Sequence, residues 1–389
     1  MIVTKDIKYA GVNDLDIKLF EGQYEVPEGM AYNSYLISDE KIAVMDSVDG
    51  SFAQQWLENV ENELQDRLPD YLIVHHMEPD HSGGIRLFMD KYKDAQIVAS
   101  KPAFNMMKNY FGTDYPDRQI VVTEGSEMKL GSHMLKFISA PMVHWPEVMM
   151  SYEVKEKVLF SADAFGKFGI NKENSDEDWE GEARRYYFGI VGKFGRQVQA
   201  VLKKAADLDI SIICSLHGPV LRDKIDHYID LYDKWSSYSP EEAGVTIAYT
   251  SVYGNTGSAV YELRDLLKSK GIDKIEVFDL ASDDMSEAVE AAFRYDRIVL
   301  ATTTYNGDIF PFMKTFIEHL KDHNYCKRKV ALIENGTWAP VANKKMSEYL
   351  EGMNELSFCE TKVRIMGSLN ESVREQLISL ADELCVSIL

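Results

Sequence analysis

His76-Met-Glu-Pro-Asp-His81 places four potential metal ligands within six residues. The preceding run, Tyr71-Leu-Ile-Val-His75, reads as a buried strand, and Ile85-Arg-Leu-Phe-Met89 begins a helical pattern. The ligands therefore belong to a strand-to-helix loop. Side chains alternate along an extended chain, so His76, Glu78 and Asp80 are expected on one side of it. Pro79 removes a backbone donor and stiffens the segment. Gly83 and Gly84 are expected to let the chain turn sharply. Imidazole and carboxylate at this density indicate a non-haem metal centre.

Other candidates end apolar runs further along. His144 lies in Ala140-Pro-Met-Val-His-Trp-Pro-Glu147, Asp163 in Ser161-Ala-Asp-Ala-Phe165, and His217 in Ser215-Leu-His-Gly-Pro219. Loops at strand ends of a layered sheet are where sites are assembled. A tetrahedral zinc needs about four ligands, commonly rich in Cys or His. Here up to four histidines and three carboxylates are available with no nearby cysteine, enough for two metals, with Asp163 a candidate bridge. Such a set suits non-haem iron, manganese or zinc. His75, His133, His227, His319 and His323 lack this context and read as structural or surface residues. His75, next to a ligand on a strand, is expected to point away from the metals.

The chain of 389 residues is long enough for two domains. Its net charge of −21 is spread along the sequence and disfavours nucleic acid and anionic membrane as partners. No signal peptide and no long apolar span is apparent. The cysteines, Cys214, Cys326, Cys359 and Cys385, are far apart, which argues against a disulfide framework and for a cytoplasmic location.

The pattern changes near residue 240. Strand-like runs with intervening helices (51–64, 104–111) dominate the first part, an α/β layer structure. Ser236 to Gly244 reads as a linker. Beyond it, strands at 245–250, 275–280, 297–302, 329–334 and 361–366 alternate with helices at 257–270, 286–294, 311–322, 342–353 and 371–387. Such alternation describes a doubly wound parallel sheet. The expected domains are 1–242 and 243–389.

The first of those strands runs into Ser251-Val252-Tyr253-Gly254-Asn255-Thr256 and then a helix, an anion cradle of hydroxyls and backbone amides. Neither a dinucleotide fingerprint nor a Gly-Lys-Ser/Thr motif is present. The spacing fits one terminal phosphate, as in FMN. Two more loops follow later strands, one with Thr303, Thr304, Tyr305, Asn306 and Gly307, the other with Asn335, Gly336, Thr337 and Trp338. Tyr305 and Trp338 could flank a flat ring, and the neighbouring amides could meet its polar edge.

Residues 1–240 resemble the metallo-β-lactamase fold, an αββα sandwich, through Asn33-Ser-Tyr-Leu-Ile37, Ala43-Val-Met-Asp46 and the His76–His81 motif. Hydrolases of that superfamily usually carry His-x-His-x-Asp-His. Here Glu78 replaces the second histidine, which favours iron over zinc. With His144, Asp163 and His217 this resembles the flavodiiron proteins, and residues 245–389 resemble flavodoxin. The resemblance implies one iron on His76, Glu78 and His144, the other on Asp80 and His217, and Asp163 bridging. It leaves His81 as ligand or as nearby proton donor. It implies a tyrosine beside the substrate, Tyr186 or Tyr187. It further implies FMN passing electrons to the irons, which reduce dioxygen to water or nitric oxide to nitrous oxide. Flavin and metals of one subunit would lie too far apart, so a head-to-tail homodimer or dimer of dimers is implied. Electrons would come from rubredoxin, a flavin reductase or a reduced deazaflavin. Two other readings are a two-metal hydrolase with an accessory flavodoxin domain, and a pure electron carrier; Glu78 and the complete ligand set weigh against them.

Overall fold

Short apolar runs in the first half become the strands of two stacked sheets in the computed structural model, which describes residues 1–172 and 179–387. One sheet is ordered Ile7–Tyr9, Tyr35–Ser38, Ile42–Met45, Tyr71–Val74, Gln96–Ala99, Gln119–Val121. The other runs Glu127–Lys129, Met134–Ser139, Met149–Glu153, Val158–Phe160, Ile212–Cys214. Alternate residues such as Ala43, Met45, Ile73 and Val98 from the first sheet and Leu135, Phe137, Val158 and Phe160 from the second close on each other as one core. Every residue of Ile42–Met45 is buried, because helix Ala53–Leu64 and its neighbours cover the outer face.

This packing brings the ligands to one edge. Tyr71–Val74 runs parallel to both its neighbours, and Val158–Phe160 runs parallel to Ile212–Cys214. His76, Asp163 and His217 all follow carboxyl ends of these strands. The loop after Tyr71–Val74 departs from the extended form expected of it. Pro79 takes the first position of a helical turn, Pro79–Ser82, a place its fixed φ favours. His76 and Glu78 are thus presented by extended chain, and Asp80 and His81 by a helical turn.

Gly83 and Gly84 are also used differently from expectation. Both have ordinary right-handed helical angles. They are needed for close approach: a Cβ on Gly83 would lie 2.3 Å from the backbone nitrogen of Gly50, and one on Gly84 would lie 2.7 Å from the Trp56 ring.

The compact units are Met1–Asp233 and Lys234–Leu389. Helix Ile225–Ser236 reaches into the segment read as a linker, and strand Glu242–Tyr249 takes up its other end. In the second unit five strands are ordered Ile275–Asp279, Glu242–Tyr249, Tyr295–Tyr305, Lys329–Asn335, then Val363–Ile365, all parallel. The short Ser357–Phe358 pairs with the start of Lys329–Asn335, and Asp308–Ile309 forms a hairpin with the end of Tyr295–Tyr305. Val245, Ile247, Val299 and Ala301 meet helices Asn255–Ser269 and Glu371–Leu384 on one face. The strand order reverses beside Glu242–Tyr249, the point where open sheets of this type bind ligands.

Candidate functional site

Seven side chains from four loops converge at the edge of the first unit. His76, Glu78, His144 and Asp163 bring one donor atom each within 4.8 Å of one another, and Asp80, His81 and His217 do the same beside them. Asp163 joins the sets. Its Oδ2 lies 3.2 Å from Nε2 of both His76 and His144. Its Oδ1 lies 3.2 Å from Nε2 of His81 and 3.6 Å from Nε2 of His217. Glu78 Oε2 is 3.2 Å from Nε2 of His76 and 3.0 Å from that of His144. Four imidazole nitrogens thus aim at carboxylate oxygens around two adjacent centres, and His81 points inward with the rest.

The electrostatics fit cations there. Burial opposes charge on His76, but Asp163, Glu147 and Glu78 outweigh it and hold its pKa well above the usual histidine value. At His144 burial is likewise outweighed by Asp163 and Glu78, and its pKa rises to about 9. Glu78 is drawn down to about 2, against burial, by His144 and His76. Burial pushes Asp80 up to about 7 despite the opposite pull of His81. Burial and His81 push His217 down to about 3. Both oxygens of Asp80 and of Asp163 are buried without hydrogen-bond partners. Buried carboxylates without donors are costly, and metal coordination is a common resolution. The donor set fits two divalent ions, with Asp163 as the shared ligand.

Tyr186 and Tyr187 are separated by the fold. The Tyr186 ring lies 5.4 Å from that of His217. Burial, with Asp163, Asp80 and Glu78, holds its phenol far above the ordinary range, so it stays protonated. Tyr187 turns to Tyr232, with rings 5.1 Å apart. His75 faces the other way: Asp46 Oδ2 lies 2.5 Å from its Nδ1, Ser151 Oγ lies 2.8 Å from its Nε2, and Asp46 Oδ1 accepts from its backbone N–H. A third cluster, Asp6, His133 and Glu156, is occupied by the Lys155 ammonium, 3.0 Å from both Asp6 and His133.

Sequence reading missed Glu147. Its Oε1 lies 2.7 Å from His76 Nδ1 and accepts from Met77 N at 2.9 Å. Its place in the His144–Glu147 run was visible, but nothing in the run shows that it reaches back to a different ligand.

In the second unit the three loops line one cleft of about 720 Å³, within the range of cofactor sites. Ser251, Val252, Tyr253, Asn255 and Thr256 come from the first loop, Thr303 to Gly307 from the second, and Asn335 to Trp338 from the third. Gly254, at φ 83°, does not line the cleft as expected of it but caps helix Asn255–Ser269, whose first residues Asn255 and Thr256 do. Thr304 lines the cleft, but its hydroxyl accepts from the amides of Val341 and Ala342. Its role is therefore partly to anchor the third loop. Gly367, Ala339 and Val341 also line the cleft. Sequence reading also missed Gly367, although it directly follows the fifth expected strand. Asn335 ties it in, accepting from Gly367 N and donating to Gly367 O, and it also donates to Thr256 Oγ1. Asn335→Ala should weaken FMN binding about tenfold or more, since each lost bond costs about 1 kcal/mol. Fluorescence titration of the flavin-free protein checks this.

A two-metal β-lactamase-like unit followed by a flavin-type doubly wound unit defines the class. Residues 30–218 match the ODP family beta lactamase and residues 246–371 match a flavodoxin domain. The chain is 27% identical over 362 residues to the anaerobic nitric oxide reductase flavorubredoxin of Escherichia coli O1:K1 / APEC, covering 90% of this chain and 75% of that one. Its structure resembles the flavodiiron protein from Giardia intestinalis, with TM-score 0.91, 25% identity, and coverage of 98% and 95% of the two chains. The fold is also that of the rubredoxin oxygen:oxidoreductase from Desulfovibrio gigas, with TM-score 0.91, 23% identity, and coverage of 99% and 97%. The chain belongs to the flavodiiron proteins.

Metal removal tests the site alone. A ligand at a hundred times its Kd stabilises by about 2.7 kcal/mol. Chelation should therefore lower the melting temperature of the first unit by roughly 5–10 °C and leave flavin bound. Calorimetry with and without a strong chelator reads both; an unmoved transition would contradict the assignment.

Proposed function

We propose that the chain is an oxidoreductase in which FMN in the second unit supplies electrons to a diiron centre in the first, reducing dioxygen to water or nitric oxide to nitrous oxide. The observation that carries this reading is the placement of the Asp163 oxygens, one toward each histidine cluster. Asp163, with the histidines on either side of it, would hold two irons whose redox chemistry suits reduction of a small gas molecule, with FMN as the source of electrons.

The residues have separable tasks. His76, Glu78 and His144 would hold one iron, and Asp80, His81 and His217 the other. Glu78 gives its position a hard oxygen donor where the hydrolases have imidazole. Tyr186 keeps its proton and presents a hydroxyl donor beside His217, suited to hydrogen-bonding a developing negative charge on the substrate. Phe20, with its ring 5.4 Å from His217, and the buried Phe168 and Tyr24 restrict water on that side.

A second copy of the chain is the proposed cover for the flavin cleft. Tyr253 and Trp338 at its mouth are 91% and 83% exposed, an unusual state for large aromatic residues. Their burial in a head-to-tail dimer would bring one subunit's flavin to the other's irons. A cytoplasmic location is supported by the absence of any disulfide among the described residues, where three of the four cysteines are buried thiols. No helix among the described residues is long and apolar enough to cross a membrane. Rubredoxin, a flavin reductase or a reduced deazaflavin is the proposed donor.

Metal and flavin analysis tests the assignment: about two irons and one FMN per chain are expected, with consumption of dioxygen or nitric oxide when a reduced donor is added. Zinc without iron, and hydrolysis of thioesters or lactams, would overturn it.

A further inference from the structure

Behind the metal-facing atoms, the two halves of the centre are supported differently. His76 has a carboxylate at its back: Glu147 Oε1 lies 2.7 Å from Nδ1. In the other half, the Nδ1 of His217 faces the neutral carbonyl of Ala31 at 2.7 Å. A carbonyl can only accept, so Nδ1 carries the proton and Nε2 is free to bind metal. His81 Nδ1 and both oxygens of Asp80 have no hydrogen-bond partner at all.

Glu147 is an expensive choice for its place. It is 2% exposed, and its second oxygen, Oε2, is buried without a partner. The Met77 amide, which also donates to Oε1, could be satisfied by any neutral acceptor. The charge is therefore directed at His76. A carboxylate on Nδ1 fixes the ring and makes Nε2 a stronger donor to a metal.

We propose that the two metal positions are unequal because of Glu147: the position of His76, Glu78 and His144 binds tightly, and the position of Asp80, His81 and His217 binds weakly and exchanges first. Glu147 is a positioning and charge-donating residue, acting through His76. The inference rests on the two-metal reading of the site.

The test uses the full-length protein loaded anaerobically with ferrous iron, which is then drawn off by a chromogenic chelator. Two ions should leave in two phases of equal amplitude. His217→Ala should retain only the slow phase, which assigns it to the His76 half. Glu147→Gln keeps an acceptor for His76 and Met77 but removes the charge. It should accelerate the slow phase by about 10–100-fold and leave the fast phase unchanged. Two wild-type ions leaving in a single phase, or a slow phase unmoved in Glu147→Gln, would overturn the asymmetry alone. Binding of fewer than two ions at saturation would overturn the two-metal reading with it.

Discussion

Asp163→Ala should abolish gas reduction while the flavin stays bound. Asp163 is the only side chain among the described residues whose two oxygens face the two histidine clusters separately. It is fully buried, and its carboxylate is held well below the usual range: burial opposes ionisation, but His76, His81 and His144 prevail. Alanine removes the shared ligand and leaves the four imidazoles with Glu78 on one side and Asp80 on the other but no carboxylate between the two sets. Loss of a partner behind a ligand already costs roughly 10–100-fold in affinity or activity, so loss of the bridge itself should cost more. FMN binding should be unaffected, because every described residue of this chain that lines the cleft belongs to the second unit. Turnover with a reduced donor, beside the flavin absorbance of the same sample, separates the two effects. Retained gas reduction would contradict the bridging role.

Gly83→Val should damage the first unit as severely by a different route. The glycine follows the Pro79–Ser82 turn, and its Cα faces Gly50 so closely that a Cβ would meet backbone rather than a movable side chain. Overpacking of this kind costs about 3 kcal/mol, or more where neither backbone can shift. Any shift is passed to the turn carrying Asp80 and His81. The expected result is a lowered first melting transition and loss of the more weakly held iron. An unchanged transition with full iron content would show that the turn is more pliable than the close approach implies.

The comparison of Gly83 with Gly254 shows where sequence is informative. Gly254 adopts a positive φ at a helix start, and its neighbours Asn255 and Thr256 mark that place in the sequence. Gly83 adopts an ordinary helical conformation, and its reason for being glycine lies at Gly50, more than thirty residues earlier. His76, Asp163 and His217 were legible because each follows the carboxyl end of an apolar strand, whereas His144 lies in the loop between the antiparallel strands Met134–Ser139 and Met149–Glu153. Their grouping was not legible from alternation, since the helical turn at Pro79 breaks it. Tyr186 and Tyr187 are indistinguishable as neighbours; the helix they leave decides which ring meets His217. Glu147 stayed hidden for a similar reason. Its function depends on contact with His76, 71 positions away, and a buried carboxylate in sequence looks like any other.

On the proposed function, nitric oxide and dioxygen would be alternative outlets for the same electrons, and the flavin would report both. Fully reduced protein can be mixed in a stopped-flow instrument with each gas separately, following flavin reoxidation in the wild type and in Asp163→Ala. With at least one gas, the wild-type flavin should reoxidise faster than the variant's by more than about a hundredfold, the margin set by the loss of a direct ligand. Equal rates with both gases would mean that electrons leave the flavin without passing through the metal site, contradicting the account.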